Sequence, residues 1–223
     1  MSELSEAAPP NAEVVPLLPA PRAGFKHRLA ALVLRMAGWS PAGDPPALEK
    51  YVIVAAPHTA LADGFWMNAF AWYWGLDVSW LVKKSLVRGA RGALLRRFGA
   101  IPVDRDRPEG VVDELVAAFA TRRRLLLAIP PEGTRARRTH WKSGFYRVAR
   151  AAGVPICLAY LDYGRRRGGF GPCFSPTSSV TADMDRVRAF YAGVRGKVPE
   201  RFAPPRLHDE DRGGLAQGEG GSP

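Results

Sequence analysis

Cysteine is nearly absent from this 223-residue sequence, with Cys157 and Cys173 alone. Two cysteines are too few to staple a small secreted scaffold or to build a metal-binding cluster, and a reducing compartment is the simple reading. No run of 18 uncharged apolar residues occurs, which argues against a spanning helix. The first 22 residues lack the basic-then-apolar order of a signal peptide and carry Glu3, Glu6, Glu13 and five prolines instead. Acid is also scarce, at 21 Asp and Glu against 32 Lys and Arg, a net charge of +11. The two ends hold eight of the acids and four of the bases, which leaves +15 over residues 23–199. Such a domain favours anionic partners: nucleic acid, an anionic membrane or phosphorylated substrates.

What is present describes a folded domain. Hydrophobic residues make 47 % and charged residues 24 %, a globular balance in a chain long enough for a sizeable core. Residues 1–22, rich in Pro and Ala, read as a disordered tail. Residues 200–223, rich in Pro, Gly and charge, read as a flexible one. Residues 25–38 form a basic amphipathic helix on the spacing of Phe25, Leu29, Leu32, Val33 and Met36. It either covers the core or lies on a membrane surface. Strands expected at 51–56, 78–82, 100–103, 125–129 and 155–162 alternate with helices at about 62–75, 87–98, 109–121 and 143–152. A basic loop at 164–169, a short strand near 170–174 and a helix at 183–195 follow. This alternation predicts an α/β fold, a single domain with a central, largely parallel mixed sheet flanked by helices. Sites in such sheets lie beyond the carboxyl ends of the strands.

Three polar clusters fall at those ends. The first is His58-Thr-Ala-Leu-Ala-Asp63. Five positions turn a helix by about 500°, so the two side chains meet only with His58 in the turn and Asp63 in the first helical turn. A neutral imidazole then takes a proton near neutral pH, and the carboxylate steadies the imidazolium. A surface His beside a helix N-terminus fits the same spacing. The second cluster, GAIPVDRDR at 99–107, sets Arg105 just past a strand, where a guanidinium suits phosphate and equally suits a salt-bridged loop. The third is Pro131-Glu132-Gly133-Thr134-Arg135, followed by Arg137 and Arg138. Gly133 lets backbone approach a ligand, or the segment is simply a charged turn.

In this order, HTALAD at 58–63, GAIPVDR at 99–105, PEGTR at 131–135 and GVPI at 153–156 resemble the four blocks of the glycerolipid acyltransferase family, which includes lysophosphatidic acid acyltransferases. The similarity extends over roughly 50–160, through the basic helix at 82–105 and the Lys-x-Gly helix at 141–156. The resemblance implies a glycerolipid acyltransferase-like fold and transfer of a fatty acyl group from an acyl thioester to a lipid hydroxyl. His58 is then the general base and Asp63 its partner. Arg105, Glu132, Gly133, Thr134 and Arg135 match the positions that hold the acceptor, with Lys83 and Lys142 as weaker candidates. The implied donor is acyl-CoA or acyl carrier protein, with no metal and no cofactor. The implied acceptor is a lysophospholipid or a related lipid. The expected location is cytoplasmic and peripheral on an anionic membrane surface, with no nucleic acid as partner. Pro57, Ala60 and Leu158 replace residues common in the family, so the acceptor stays open. The alternative is a catalytically inactive basic module that binds anionic membrane or nucleic acid.

Overall fold

Residues 51–56, 125–129 and 156–161 carry no charge and are rich in branched aliphatics, the composition of strands covered on both faces. In the computed structural model, which describes residues 24–87, 89–104 and 108–211, they are the middle of the sheet. The strands are β1 (Ser40–Pro41), β2 (Lys50–Ala56), β3 (Val78–Lys83), β4 (Ala100–Val103), β5 (Leu125–Ile129), β6 (Ile156–Asp162) and β7 (Arg167–Phe174). Their order is β1-β7-β6-β2-β5-β3-β4. The pairs are parallel except β6 with β7, an antiparallel hairpin. The helices are α1 (Phe25–Met36), α2 (Ala62–Tyr73), α3 (Gly89–Arg97), α4 (Pro108–Thr121), α5 (Gly144–Ala152) and α6 (Val180–Tyr191). The chain is an α/β domain with a seven-stranded, largely parallel mixed sheet flanked by helices, as its pattern predicts.

The period-2 alternation of the strands divides the core. Tyr51, Ile53, Leu126 and Ala128 pack with Leu34, Phe70 and Trp74 of the α1–α2 side. Val52, Val54, Leu125 and Leu127 pack with Leu115, Phe119, Phe145, Met184 and Tyr191 on the opposite side. Two elements shift from their expected places. β7 begins at Arg167 and absorbs part of the expected basic loop, because Gly168 and Gly169 pass where a Cβ would strike the Phe70 ring and the Ala42 carbonyl. α6 begins at Val180, three residues early, because the Ser179 side chain accepts from the Ala182 N–H. Buried Asp183 reinforces that start by accepting from the Thr177 N–H and the Tyr146 hydroxyl.

Two expectations are corrected. Cys157 and Cys173 face each other across β6 and β7 and form a disulfide, which removes the ground for reading a reducing compartment from isolated cysteines. The expected C-terminal tail from 200 is also too long. The Trp141 N–H donates to Arg206 O at 2.7 Å, and the Leu207 side chain is fully buried. Arg188 binds Glu210, while Asp211 meets both Arg206 and His140, whose ring stacks on His208 at 3.8 Å. A Pro- and charge-rich composition hid one apolar anchor, Leu207, and the ion pairs around it. The expected tails at 1–22 and 212–223 lie outside the described residues.

Leu207→Ala is therefore expected to destabilise the fold by about 2–5 kcal/mol, as for a buried leucine. Urea unfolding checks this. A change within about 0.5 kcal/mol, typical of surface substitutions, would return the segment to the solvent.

Candidate active site

The carboxyl end of β2 runs into a turn, Pro57 to Leu61, before α2 begins. Asp63 lies in the first turn of α2, and its buried carboxylate folds back over that turn. Its Oδ2 accepts from the N–H groups of Thr59 and Ala60 at 2.7 and 2.8 Å. The same oxygen lies 3.4 Å from His58 Nδ1. The turn geometry that the His-Asp spacing requires is the geometry found. Oδ1 accepts from the Tyr163 hydroxyl at 2.6 Å. Burial alone would raise the Asp63 pKa. The bonds from His58, Tyr163, Ala60 and Thr59 outweigh it and hold the carboxyl below the ordinary aspartate value.

The carboxyl end of β5 supplies the next layer. Glu132 is 5 % exposed, and its Oε1 accepts the His58 N–H at 2.9 Å. Its Oε2 is buried with no hydrogen-bond partner among the described residues. Burial pushes the Glu132 pKa up against the opposing hydrogen bonds. Gly133 has φ +64°, and a Cβ there would lie 2.9 Å from the Lys142 side chain. The Lys142 N–H donates to Pro131 O at 2.8 Å and pins the same turn. Thr134 Oγ1 accepts from the Ala136 N–H at 3.3 Å.

An apolar cavity of about 340 Å³ opens beside His58. Ile53, Phe70, Trp74, Ala128 and Phe170 line its buried part, on the α1–α2 side of the sheet. Arg135 and Leu61, both exposed, line it as well. A second cavity of about 430 Å³, lined by Lys83, Lys84, Arg96 and Asp104, lies past the ends of β3 and β4.

A buried acid lies clamped beside a half-exposed imidazole, at the rim of an apolar cavity. A family model for acyltransferases matches residues 40–160, more than half of the chain. The chain belongs to the acyltransferase family. The crystal structure of the 1-acyl-sn-glycerophosphate (LPA) acyltransferase PlsC from Thermotoga maritima resembles this acyltransferase in fold, with a TM-score of 0.50. The two sequences are 12 % identical, and the match covers 89 % of this chain and 80 % of PlsC. No curated protein sequence matches the acyltransferase.

Among the sequence-predicted residues, His58, Asp63, Glu132 and Arg135 come together around one turn and one cavity. Gly133 and Thr134 shape the adjoining turn. Arg105 lies outside the described residues. Glu132, expected among the acceptor contacts, is turned to the His58 backbone. Two contributions carried no sequence signal. Tyr163 reaches Asp63 from 100 positions away. Val198 and Arg201 bond Thr59 Oγ1 and Thr59 O from the other end of the domain.

Glu132 also generates a prediction about pH. Its folded-state pKa is raised, so the folded protein holds this proton more tightly than the unfolded chain. Glu132 therefore favours folding most below its unfolded pKa, and that contribution is lost as pH rises through the folded value. Glu132→Gln keeps an oxygen for the His58 N–H and removes the ionisation. Unfolding by urea at a series of pH values is expected to show this variant at least as stable as the parent at pH 7, with a flatter dependence above pH ~4.5. A variant less stable at neutral pH, with an unchanged slope, would contradict the assignment.

Proposed function

We propose that this acyltransferase moves a fatty acyl group from an acyl thioester to the hydroxyl of a lysophospholipid or related membrane lipid, with His58 as general base. The observation that carries this reading is the His58–Asp63 pair at the rim of the apolar cavity. With Nδ1 turned to Asp63, Nε2 is the ring nitrogen left to accept the hydroxyl proton. The oxygen attacks the thioester carbonyl, and the tetrahedral intermediate collapses with loss of the thiolate. The imidazolium returns its proton to that sulfur. The thioester is already activated, so no covalent enzyme intermediate is required. The cavity suits an acyl chain, since its buried lining is aliphatic and aromatic.

The acceptor is proposed to be anionic. Arg135 lines the reaction cavity, and Lys83, Lys84 and Arg96 line the second one, cations that suit a phosphate. The resemblance assigns Arg105 to the same task. The donor is proposed to be acyl-CoA or acyl carrier protein. Lysophosphatidic acid is one member of the acceptor class.

A membrane-surface location is proposed as well, and α1 supports it. Among the described residues no helix is long and apolar enough to cross a membrane. α1 buries Ala30 and Leu34 against the core, yet Phe25, Leu29, Leu32 and Met36 stay exposed at helical spacing. Covering the sheet and offering an apolar stripe are two faces of one helix. Exposed Leu61 and Phe65 of the His58 turn and α2 add apolar surface near the cavity. Lys26, Arg28 and Arg35 are exposed on α1 and suit anionic headgroups.

The deciding experiment incubates the protein with acyl-CoA or acyl carrier protein donors and a panel of lysolipids, followed by lipid mass spectrometry. His58→Ala is expected to lose at least about 10²–10⁴-fold in rate while remaining folded. A folded His58→Ala variant with near-parental turnover would remove His58 as the base. In vesicle sedimentation, binding is expected to rise with anionic lipid and fall with salt, because each cation near such a surface contributes about 1 kcal/mol. The double variant Leu29→Ser, Leu32→Ser is expected to weaken that binding without unfolding. A folded double variant that sediments like the parent would move the membrane contact away from α1.

A further inference from the structure

The Tyr163 hydroxyl meets Asp63 from an element far from the His58 turn in sequence. Its place is set independently of Asp63. The Tyr163 N–H donates to Arg195 O at 2.8 Å, and its ring stands edge-on to Trp39 at 4.9 Å. Just after it, the N–H groups of Gly164 and Arg165 cap buried Asp162 Oδ1 at 2.9 and 3.1 Å. The Arg165 guanidinium binds Asp162 Oδ2 and Gly193 O, which fastens the β6–β7 turn to the end of α6. A phenylalanine could occupy the ring position. The hydroxyl adds one thing, a donor aimed at a carboxylate that is 4 % exposed.

We propose that Tyr163 is a positioning residue of the acyl-transfer site, its hydroxyl holding the Asp63 carboxylate ionised and turned to His58. The proposal rests on the reading of His58 as general base. Asp63 Oδ2 already serves Thr59, Ala60 and His58, so Tyr163 takes the other oxygen and leaves Oδ2 facing the imidazole. Burial and the adjacent carboxylate push the Tyr163 pKa well above the usual phenol value, so it remains a donor throughout the working range. The carboxyl pKa of Asp63 is held low in part by this bond.

The sign of the effect on pH follows. A carboxylate that loses a donor in a buried site gains proton affinity. His58 and Asp63 interact, so the pair as a whole holds a proton to higher pH. Glu132 and Arg135 of the β5–α5 loop, Tyr160 of β6 and Arg201 beside Thr59 also face this region, and all are retained in Tyr163→Phe.

Tyr163→Phe is expected to lower kcat about tenfold or more with little change in acceptor KM, the size of a charged hydrogen bond. The acid limb of its kcat profile is expected to move to higher pH. The His58 ring titration, followed by NMR in the substrate-free protein and assigned with His58→Ala, is expected to move the same way. Trp39→Phe disturbs the ring packing and keeps the hydroxyl. It is expected to lower the melting temperature and leave both pH midpoints unchanged. An unchanged NMR midpoint in folded Tyr163→Phe overturns the proposal, as does an equal shift in Trp39→Phe. If the parent protein transfers no acyl group to any acceptor, the functional reading fails. The NMR titration still decides the hydrogen bond in that case, so the two failures are distinguishable.

Discussion

A carboxylate almost removed from water needs partners for both oxygens, and Asp63 finds them in two parts of the chain. Its own turn gives two N–H groups and the His58 imidazole, and the β6–β7 hairpin gives a phenol. Leaving one such group unpaired costs a sizeable fraction of a domain's net stability. The site's order is thus a condition of folding, and the fold's order is a condition of the site. The parallel arrangement of β2, β5 and β6 makes the convergence practicable. Their carboxyl ends emerge side by side, with β2 between the other two.

The two carboxyls beside His58 are treated in opposite ways. Asp63 receives enough donors to stay charged despite burial. Glu132, equally hidden, receives fewer, and its proton affinity rises. Two unpaired anions in so small a space would repel each other, and the difference in donors separates their titrations. The His58 imidazole then faces one firm negative charge.

The alternation of strands and helices was legible because buried strands and amphipathic helices have different periods, and it gave the layered architecture before any contact was known. His58 and Asp63 were legible for a related reason: five positions bridge a strand-to-helix turn. The PEGTR segment was legible as a turn at a strand's carboxyl end, but the orientation of Glu132 was not, since a charged residue beside arginines reads as solvated. Tyr163 was invisible because its partner is fixed by the register of β6 on β2, which no local pattern encodes. The docked C-terminal segment was missed because one leucine holds a stretch whose composition is that of a tail. The disulfide was missed because pairing depends on the hairpin register of β6 and β7.

The turn that carries His58 is finished by Val198 and Arg201, which bond Thr59 from about 140 positions downstream. This places the completion of the site late in the life of a nascent chain. A polypeptide emerging from the ribosome displays His58, Asp63 and Glu132 long before it displays the strap that steadies them. An unfinished or clipped chain therefore keeps these side chains and loses their geometry, so the arrangement around His58 arrives with the whole domain.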